Sequence, residues 1–199
     1  MKKIKIDFIT NALLGGGSER VMALIANDFA SKGYTVSIVT FNKGDVYPIS
    51  KNVNRIRLHH GKWKNHTLRS CINLLGHYKK KENRPDLLIS FLPEINVFSI
   101  LAAKVFGVKV ICSEHINYLI DGEHISQIYL TKFTRFFLYR FADKITVLTS
   151  FDVPFYKKRG ADVVIMPNPR SFEPLGANSH ERKKVILAIG SLDRYHGKG

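Results

Sequence analysis

The stretch Ile4 to Arg20, IKIDFITNALLGGGSER, reads as a short apolar strand that runs into three consecutive glycines and then straight into a helix. A helix start leaves backbone N–H groups unpaired, carries about half a positive charge and favours an anion such as phosphate. Gly15, Gly16 and Gly17 lack the Cβ atoms that would hold a ligand away from the backbone. The same triplet also serves as a tight turn between strand and helix, and at this level both uses stay open. Two phosphate-binding schemes do not fit. A P-loop needs Lys-Ser or Lys-Thr after its last glycine, and Ser18-Glu19 follows here. A dinucleotide fold needs G-x-G-x-x-G and an acid at the end of the second strand; position 20 is Arg20, and that strand ends Thr40-Phe41-Asn42.

A second group of reactive side chains, Glu114, His115, Asp121, Glu123 and His124, occupies one loop. Their spacing matches neither a helical i, i+4 pair nor a recognisable ligand pattern, and no Asp-x-Asp occurs in the chain, so solvated loop carboxylates are expected rather than a metal centre. His115 lies just past the carboxyl end of a strand, where open α/β sheets bind ligands; its alternative use is that of a loop residue satisfied by neighbours.

The elements that would position these residues alternate. Val21, Leu24, Ile25 and Phe29 share a helical face that ends at Ser31-Lys32-Gly33, and Tyr34 to Phe41 is a β-branched strand. Asn54 to Leu58 is a weaker strand. The helix that follows carries Leu68, Ile72 and Leu75 on one side and stops at Asn83-Arg84-Pro85. Leu87 to Leu92 is a nearly continuous apolar run, as expected of a parallel strand covered on both faces. A helix over Ile95 to Phe106, a strand over Val108 to Ser113, a long aromatic helix over Ile125 to Phe141, a strand over Lys144 to Thr149, a short helix over Phe151 to Arg159 and a strand over Asp162 to Met166 complete the series. This βαβ spacing predicts an α/β, Rossmann-like, doubly wound parallel sheet. Residues 1–166 form that domain, 167–184 read as a proline-bearing linker, and Val185 to Gly190 is the first strand of a second domain within 185–199.

Composition narrows the partners. The 199 residues carry 31 Lys and Arg against 16 Asp and Glu, a net charge of +15, which suits anionic partners. Cys71 and Cys112 lack C-x-x-C spacing and read as reduced structural thiols. Lys5 and Asp7 interrupt the N-terminal apolar residues, so no signal peptide is expected; Pro93, Glu94 and Asn96 break the richest apolar stretch, so no transmembrane span is expected either. The expected location is the cytoplasm, with a membrane surface as a further contact. On the aromatic helix, Tyr129, Phe133, Phe136, Phe137 and Phe141 form a wide apolar face with Lys132, Arg135 and Arg140 largely outside it. Core packing is the expected use of that face, and docking on anionic lipid the alternative. The basic loop Lys51 to Lys64, with Trp63 inside it, is a second lipid or acceptor-phosphate candidate, or a solvated charge run.

These pieces together carry a family resemblance. GGGSERV (15–21), SEH (113–115), FADKITVLTS (141–150), MPNP (166–169) and LAIGSLDRYHGKG (187–199) resemble, in order and spacing, the N-terminal half of the GT-B nucleotide-sugar glycosyltransferases, in particular glycosyltransferase family 4. The resemblance implies a retaining transfer from a nucleotide diphosphate sugar to a glycan or lipid-linked acceptor, in cell-surface polysaccharide synthesis, without a cofactor or metal. It implies that Gly15, Gly16 and Gly17 approach the donor diphosphate, that His115 hydrogen-bonds the donor sugar or a reacting hydroxyl, and that Lys198 binds donor phosphate. Ser191 stands where the family pattern has an arginine, and Arg194 is the substitute. Glu19 and Glu114 are the acceptor-side candidates. The family's paired glutamates are expected beyond Gly199, and the 199 residues alone are expected to be inactive. A basic module that binds nucleic acid or a membrane without catalysis is the competing function. Against nucleic acid, the positive residues are scattered and no RRM, KH or helix-turn-helix signature occurs, so nucleic acid is not an expected partner.

Overall fold

The computed structural model describes residues 3–60, 66–119 and 125–170. A first compact unit spans Met1–Pro169, and of the second, Arg170–Gly199, only Arg170 is among the described residues. The linker and second-domain strand read from the sequence therefore lie outside the described residues beyond Arg170.

The chain follows the alternation read from its periodicity: β1 (Lys5–Thr10), α1 (Gly17–Ser31), β2 (Thr35–Thr40), β3 (Val53–Arg57), α2 (His66–Lys79), β4 (Leu87–Phe91), α3 (Pro93–Phe106), β5 (Lys109–Ser113), α4 (Ile125–Phe133), β6 (Lys144–Val147), α5 (Val153–Lys157) and β7 (Val163–Ile165). The strands form one seven-stranded sheet in the order β3-β2-β1-β4-β5-β6-β7, with every pairing parallel. Parallel strands need crossovers, and right-handed crossovers put helices on both faces. One face carries Ile6, Phe8, Val36 and Ile38 against Met22 and Ala26 of α1. The other carries Ile9, Leu88, Val110 and Ile145 against Leu74 and Tyr78 of α2, Phe98 of α3, and Tyr139 and Tyr156. Fully burying a side chain of this size stabilises by roughly 1.5–3 kcal/mol, so the two apolar layers hold the sheet between them. The Tyr78 hydroxyl also donates to Asp7 Oδ2 at 2.8 Å and ties α2 to the central strand.

Two helical faces differ from their sequence reading. On α2, Leu68 and Ile72 are exposed, and the buried positions are Ser70, Asn73, Leu74 and Tyr78. Ser70, Leu74 and Tyr78 recur at i, i+4, i+8 and form the inward stripe; the aliphatic spacing pointed to the wrong side because that stripe contains a serine and a tyrosine.

The larger correction concerns 125–141. Its aromatic face was expected against the sheet with Arg135 outside. Instead Thr131, Thr134, Arg135 and Tyr139 are buried, while Tyr129, Phe133, Phe136, Phe137 and Phe141 are exposed. The physical cause lies on β5's far end. Glu114 is enclosed by protein, and Arg135 Nη2 meets its Oε2 at 3.0 Å. A buried carboxylate without a cation costs far more than an exposed phenylalanine ring. The helix is therefore rotated to deliver Arg135 inward. α4 ends at Phe133, a π turn covers Thr134–Leu138, and a 3₁₀ turn covers Tyr139–Phe141. Such a wide turn is a recurrent device at functional positions.

Removing one partner of this pair separates the two faces experimentally. Arg135→Ala leaves the Glu114 carboxylate buried and unpaired and is expected to cost about 3–5 kcal/mol in urea unfolding. Phe137→Ser, on the exposed face, is expected to stay within about 0.5 kcal/mol. The opposite ranking would return the aromatic face to the core.

Candidate functional site

Strand order decides where a ligand can sit. From β1 the chain winds outward through β2 and β3, and from β4 outward the other way through β5, β6 and β7. Loops leaving the carboxyl ends of β1 and β4 therefore diverge and open a crevice, the usual ligand position in such sheets. The glycine triplet follows β1, the start of α3 follows β4, and Glu114-His115 follows β5. Neighbouring strands lie about 4.8 Å apart, so β1 and β5, with β4 between them, present their loops within about 10 Å of each other. At the crevice Leu92 has φ 79°, the one positive φ outside glycine among the described residues. A side chain held there stores about 1–3 kcal/mol, and such strain concentrates at ligand sites.

The glycine loop is held from three directions. Tyr47 donates its hydroxyl to Gly16 O at 2.8 Å. Leu13 is bridged to the 42–50 loop through Leu13 N to Gly44 O and Val46 N to Leu13 O, at 3.3 and 2.9 Å. Glu19 turns back on its own helix start, its Oε2 accepting from Gly15 N at 3.0 Å and Gly16 N at 3.2 Å. That bond is one half of a capping box, and it puts a carboxylate on two of the N–H groups expected to face an anion. The first intrahelical bond is Arg20 N to Gly16 O, so the N–H groups of Gly17, Ser18 and Glu19 precede the helical ladder.

The three glycines are not equivalent. Gly15 has φ +108°, which only glycine adopts without strain. Gly16 and Gly17 have no such requirement: a Cβ on Gly16 would touch only the Glu19 side chain at ordinary distance, and a Cβ on Gly17 would meet nothing within 4 Å. The turn between strand and helix thus explains Gly15 and leaves Gly17 unexplained by the protein's own packing.

His115 is stacked on Phe91, the last residue of β4, with ring centroids 4.8 Å apart and planes at 17°. Thr146 Oγ1 donates to Ser113 Oγ at 2.7 Å, and Ser113 Oγ lies within hydrogen-bond distance of His115 Nε2, 3.0 Å away. Burial pushes the imidazole pKa down to about 4, against an Asn168 hydrogen bond that pulls it up. The ring is neutral at physiological pH. It can exchange hydrogen bonds with hydroxyls but cannot serve as a cation for phosphate.

Beneath it, Arg135 holds the Glu114 side chain before His115 and backbone carbonyls after it. Its Nη2 reaches Ile116 O at 3.4 Å as well as Glu114 Oε2, and its Nη1 donates to Tyr118 O at 3.2 Å. Tyr139 donates to Glu114 Oε1, and the Asn96 amide lies 2.8 Å from the Tyr139 hydroxyl and 2.7 Å from Ser90 Oγ. Burial raises the Glu114 carboxyl above its ordinary pKa, with Arg135 and Tyr139 opposing. The Glu114 side chain consequently faces the interior, under the site and not into it. A separate cavity of about 320 Å³, lined by Leu58, His60, Asn73, His77 and Lys80 among others, includes no residue of the glycine loop, the β4–α3 turn or the His115 segment.

Phe91, Ser113, Thr146, Asn168 and Arg135 were not singled out as site residues from the sequence. The signals were there for three of them, since Ser113, Thr146 and Asn168 belong to the SEH, FADKITVLTS and MPNP motifs. Arg194, Lys198, Asp121, Glu123, His124 and Trp63 lie outside the described residues. Among the described residues no group of three His, Cys, Asp or Glu side chains is placed to hold a metal ion.

Comparison with known proteins bears on this geometry. A family model described as Glycosyltransferase Family 4 matches residues 15–173. The chain is 32% identical over 201 residues, 96% of its own length and 53% of the relative's, to the Campylobacter jejuni GalNAc-alpha-(1->4)-GalNAc-alpha-(1->3)-diNAcBac-PP-undecaprenol alpha-1,4-N-acetyl-D-galactosaminyltransferase. It is 28% identical over 153 residues, 75% of its length and 39% of the relative's, to the amylovoran biosynthesis glycosyltransferase AmsD of Erwinia amylovora. The chain thus spans about half the length of the curated relatives it matches. Among solved structures, the apo form of the lipopolysaccharide outer core galactosyltransferase WaaB is alike in fold, with a TM-score of 0.64 at 20% identity over 91% of this chain and 50% of that one.

Two measurements check the site. Gly15→Ala is expected to cost about 1–3 kcal/mol, since alanine is strained at that φ. Gly17→Ala is expected to be neutral or to stabilise by up to about 1 kcal/mol in the same denaturation series. An NMR titration should give His115 a midpoint of about 4, well below its ordinary 6.5. Because the folded state prefers the neutral ring, the associated stability is full above pH 6.5 and is lost as pH falls towards 4. His115→Asn should remove that part of the acid sensitivity.

Proposed function

This chain belongs to glycosyltransferase family 4, and on that premise we propose that it is the acceptor-side half of an enzyme that moves a hexose, with retention, from a nucleotide diphosphate sugar to a glycan or lipid-linked acceptor. The setting is cell-surface polysaccharide synthesis at the cytoplasmic face of a membrane. The observation that carries the reading is Gly17. The protein's own packing and backbone make no demand for glycine there, yet a side chain would stand at the helix start where a donor must approach.

In this reading the Gly17 and Ser18 N–H groups and the α1 dipole stabilise the charge that builds on the departing diphosphate. Glu19 holds the loop in that shape when no donor is present. His115, neutral and stacked on Phe91, hydrogen-bonds a sugar hydroxyl; a pKa of about 4 makes it a poor base at neutral pH, so its contribution is orientation. Lys198 and Arg194 keep a donor-phosphate role in the same proposal, which takes 1–166 as the first domain, 167–184 as the linker and 185–199 as the start of the second domain. A lipid diphosphate acceptor is favoured by the undecaprenol-linked substrate in the name of the Campylobacter jejuni relative.

The test is a donor panel with the protein that carries both halves. Nucleoside diphosphate release from one nucleotide sugar, dependent on a lipid-linked acceptor, is expected. His115→Ala and Gly17→Val should each lower kcat/KM by about 100-fold, the scale of one lost transition-state donor. The 199 residues alone should turn over no donor. Absence of turnover across the panel, or full activity in Gly17→Val, would sink the proposal.

A further inference from the structure

The peptide that joins Gly16 to Gly17 has a glycine on each side. Reversing a peptide plane changes ψ of the residue before it and φ of the residue after it, each by about 180°, because the bond itself stays planar. Gly16 is extended, with ψ 153°, and Gly17 opens α1 with its φ outside the left-handed region. A reversed plane would carry Gly17 into positive φ, which glycine adopts at little steric cost. Two neighbouring glycines therefore leave this plane with no strong orientation of its own. The C=O of Gly16 and the N–H of Gly17 point in opposite directions across one trans peptide, so whatever holds the carbonyl also aims the N–H.

Tyr47 is placed to be that holder. Its hydroxyl donates to Gly16 O at 2.8 Å, on the carbonyl that also accepts from Arg20 N at 3.1 Å. The Arg20 bond is the first of the helical ladder, where helices fray, so the phenol is the contact from outside the helix that fixes the plane. The tyrosine is itself held from both ends of its loop. Before it, Asp45 pairs with Arg55 and Arg57 of β3, and Val46 N donates to Leu13 O at 2.9 Å. After it, Asn27 of α1 donates from Nδ2 to Pro48 O at 3.1 Å and accepts from Ser50 N on Oδ1 at 2.8 Å. The ring is half-buried against the apolar layer that α1 shares with β1 and β2. Glu19 takes the N–H groups of Gly15 and Gly16, on the other side of this peptide. A donor on a carbonyl also polarises its peptide and strengthens the N–H at the opposite end.

We infer that Tyr47 is a positioning residue for sugar transfer: through Gly16 O it locks the Gly16–Gly17 plane, with the Gly17 N–H turned away from Tyr47 and out along the helix start. This role rests on the preceding reading, in which that N–H meets the departing diphosphate, and it adds the residue that sets the direction of the N–H. An N–H in a plane free to reverse would spend part of its time pointing away from the charge it stabilises. Tyr47 acts through the peptide and not on the substrate.

Two measurements test it. In the 199-residue chain, where no donor is needed, the parent should give one sharp NMR resonance for the Gly17 amide. Tyr47→Phe should broaden or double that resonance while circular dichroism shows the variant folded. Adding Gly17→Ala to it should restore a single line at position 17, because alanine disfavours the reversed plane. A phenol that only adds stability would leave the line single in all three proteins. In the protein that carries both halves, Tyr47→Phe should lower kcat about tenfold with the donor KM changed by less than about twofold, the pattern of a contact used in the transition state. Tyr47→Phe as active as an active parent would overturn the inference, and so would an unperturbed Gly17 amide in that variant. A parent inactive towards every donor would instead sink the preceding reading and this role with it, while the resonance would still report whether Tyr47 holds the plane.

Discussion

The buried Glu114 carboxylate is the constraint on which most of the arrangement turns. It lies just past β5, at the start of the loop that carries His115, and it is enclosed by protein. A charge there demands a cation, and the nearest helix has to supply one whatever its apolar pattern prefers. Arg135 does so and accepts a second task, since the same guanidinium holds the carbonyls of Ile116 and Tyr118. The loop carrying His115 is thereby anchored by a side chain that cannot relax without uncovering a charge.

That anchorage explains why the site is rigid at one end and strained at the other. His115 is flanked by a ring stack, a hydroxyl relay and the Arg135 clamp, all of which favour a fixed neutral imidazole. Across the crevice, Leu92 holds an unfavourable φ at the start of α3, and Glu19 bends back onto the glycine N–H groups. The Leu92 strain is stored in the backbone, whereas the Glu19 carboxylate satisfies two N–H groups at the helix start. The resting partner of the glycine loop's N–H groups is thus a carboxylate from its own helix.

The alternation of strands and helices was legible in the sequence because apolar periodicity and proline and glycine punctuation act over short distances. So was the glycine loop, whose chemistry depends only on three neighbouring residues and the helix they start. The position of His115 at a strand end was legible, but only the family resemblance attached a role to it. What escaped was every feature that depends on residues far apart in the chain. Asn168 is 53 positions from His115, and Arg135 is 21 from Glu114. No local pattern announces such partners.

The aromatic helix shows the division most clearly. By itself the sequence determined that 125–141 is helical and amphipathic, with aromatic residues along one side, because those properties follow from residue type and spacing. It could not decide which side faces the sheet. Periodicity assigns the apolar stripe inward by default, and the default fails when a buried ion pair outweighs the rings. Only the tertiary structure, by enclosing Glu114 and thereby making Arg135 the inward residue, decided the rotation of that helix. In doing so it also decided which surface the protein presents to its surroundings.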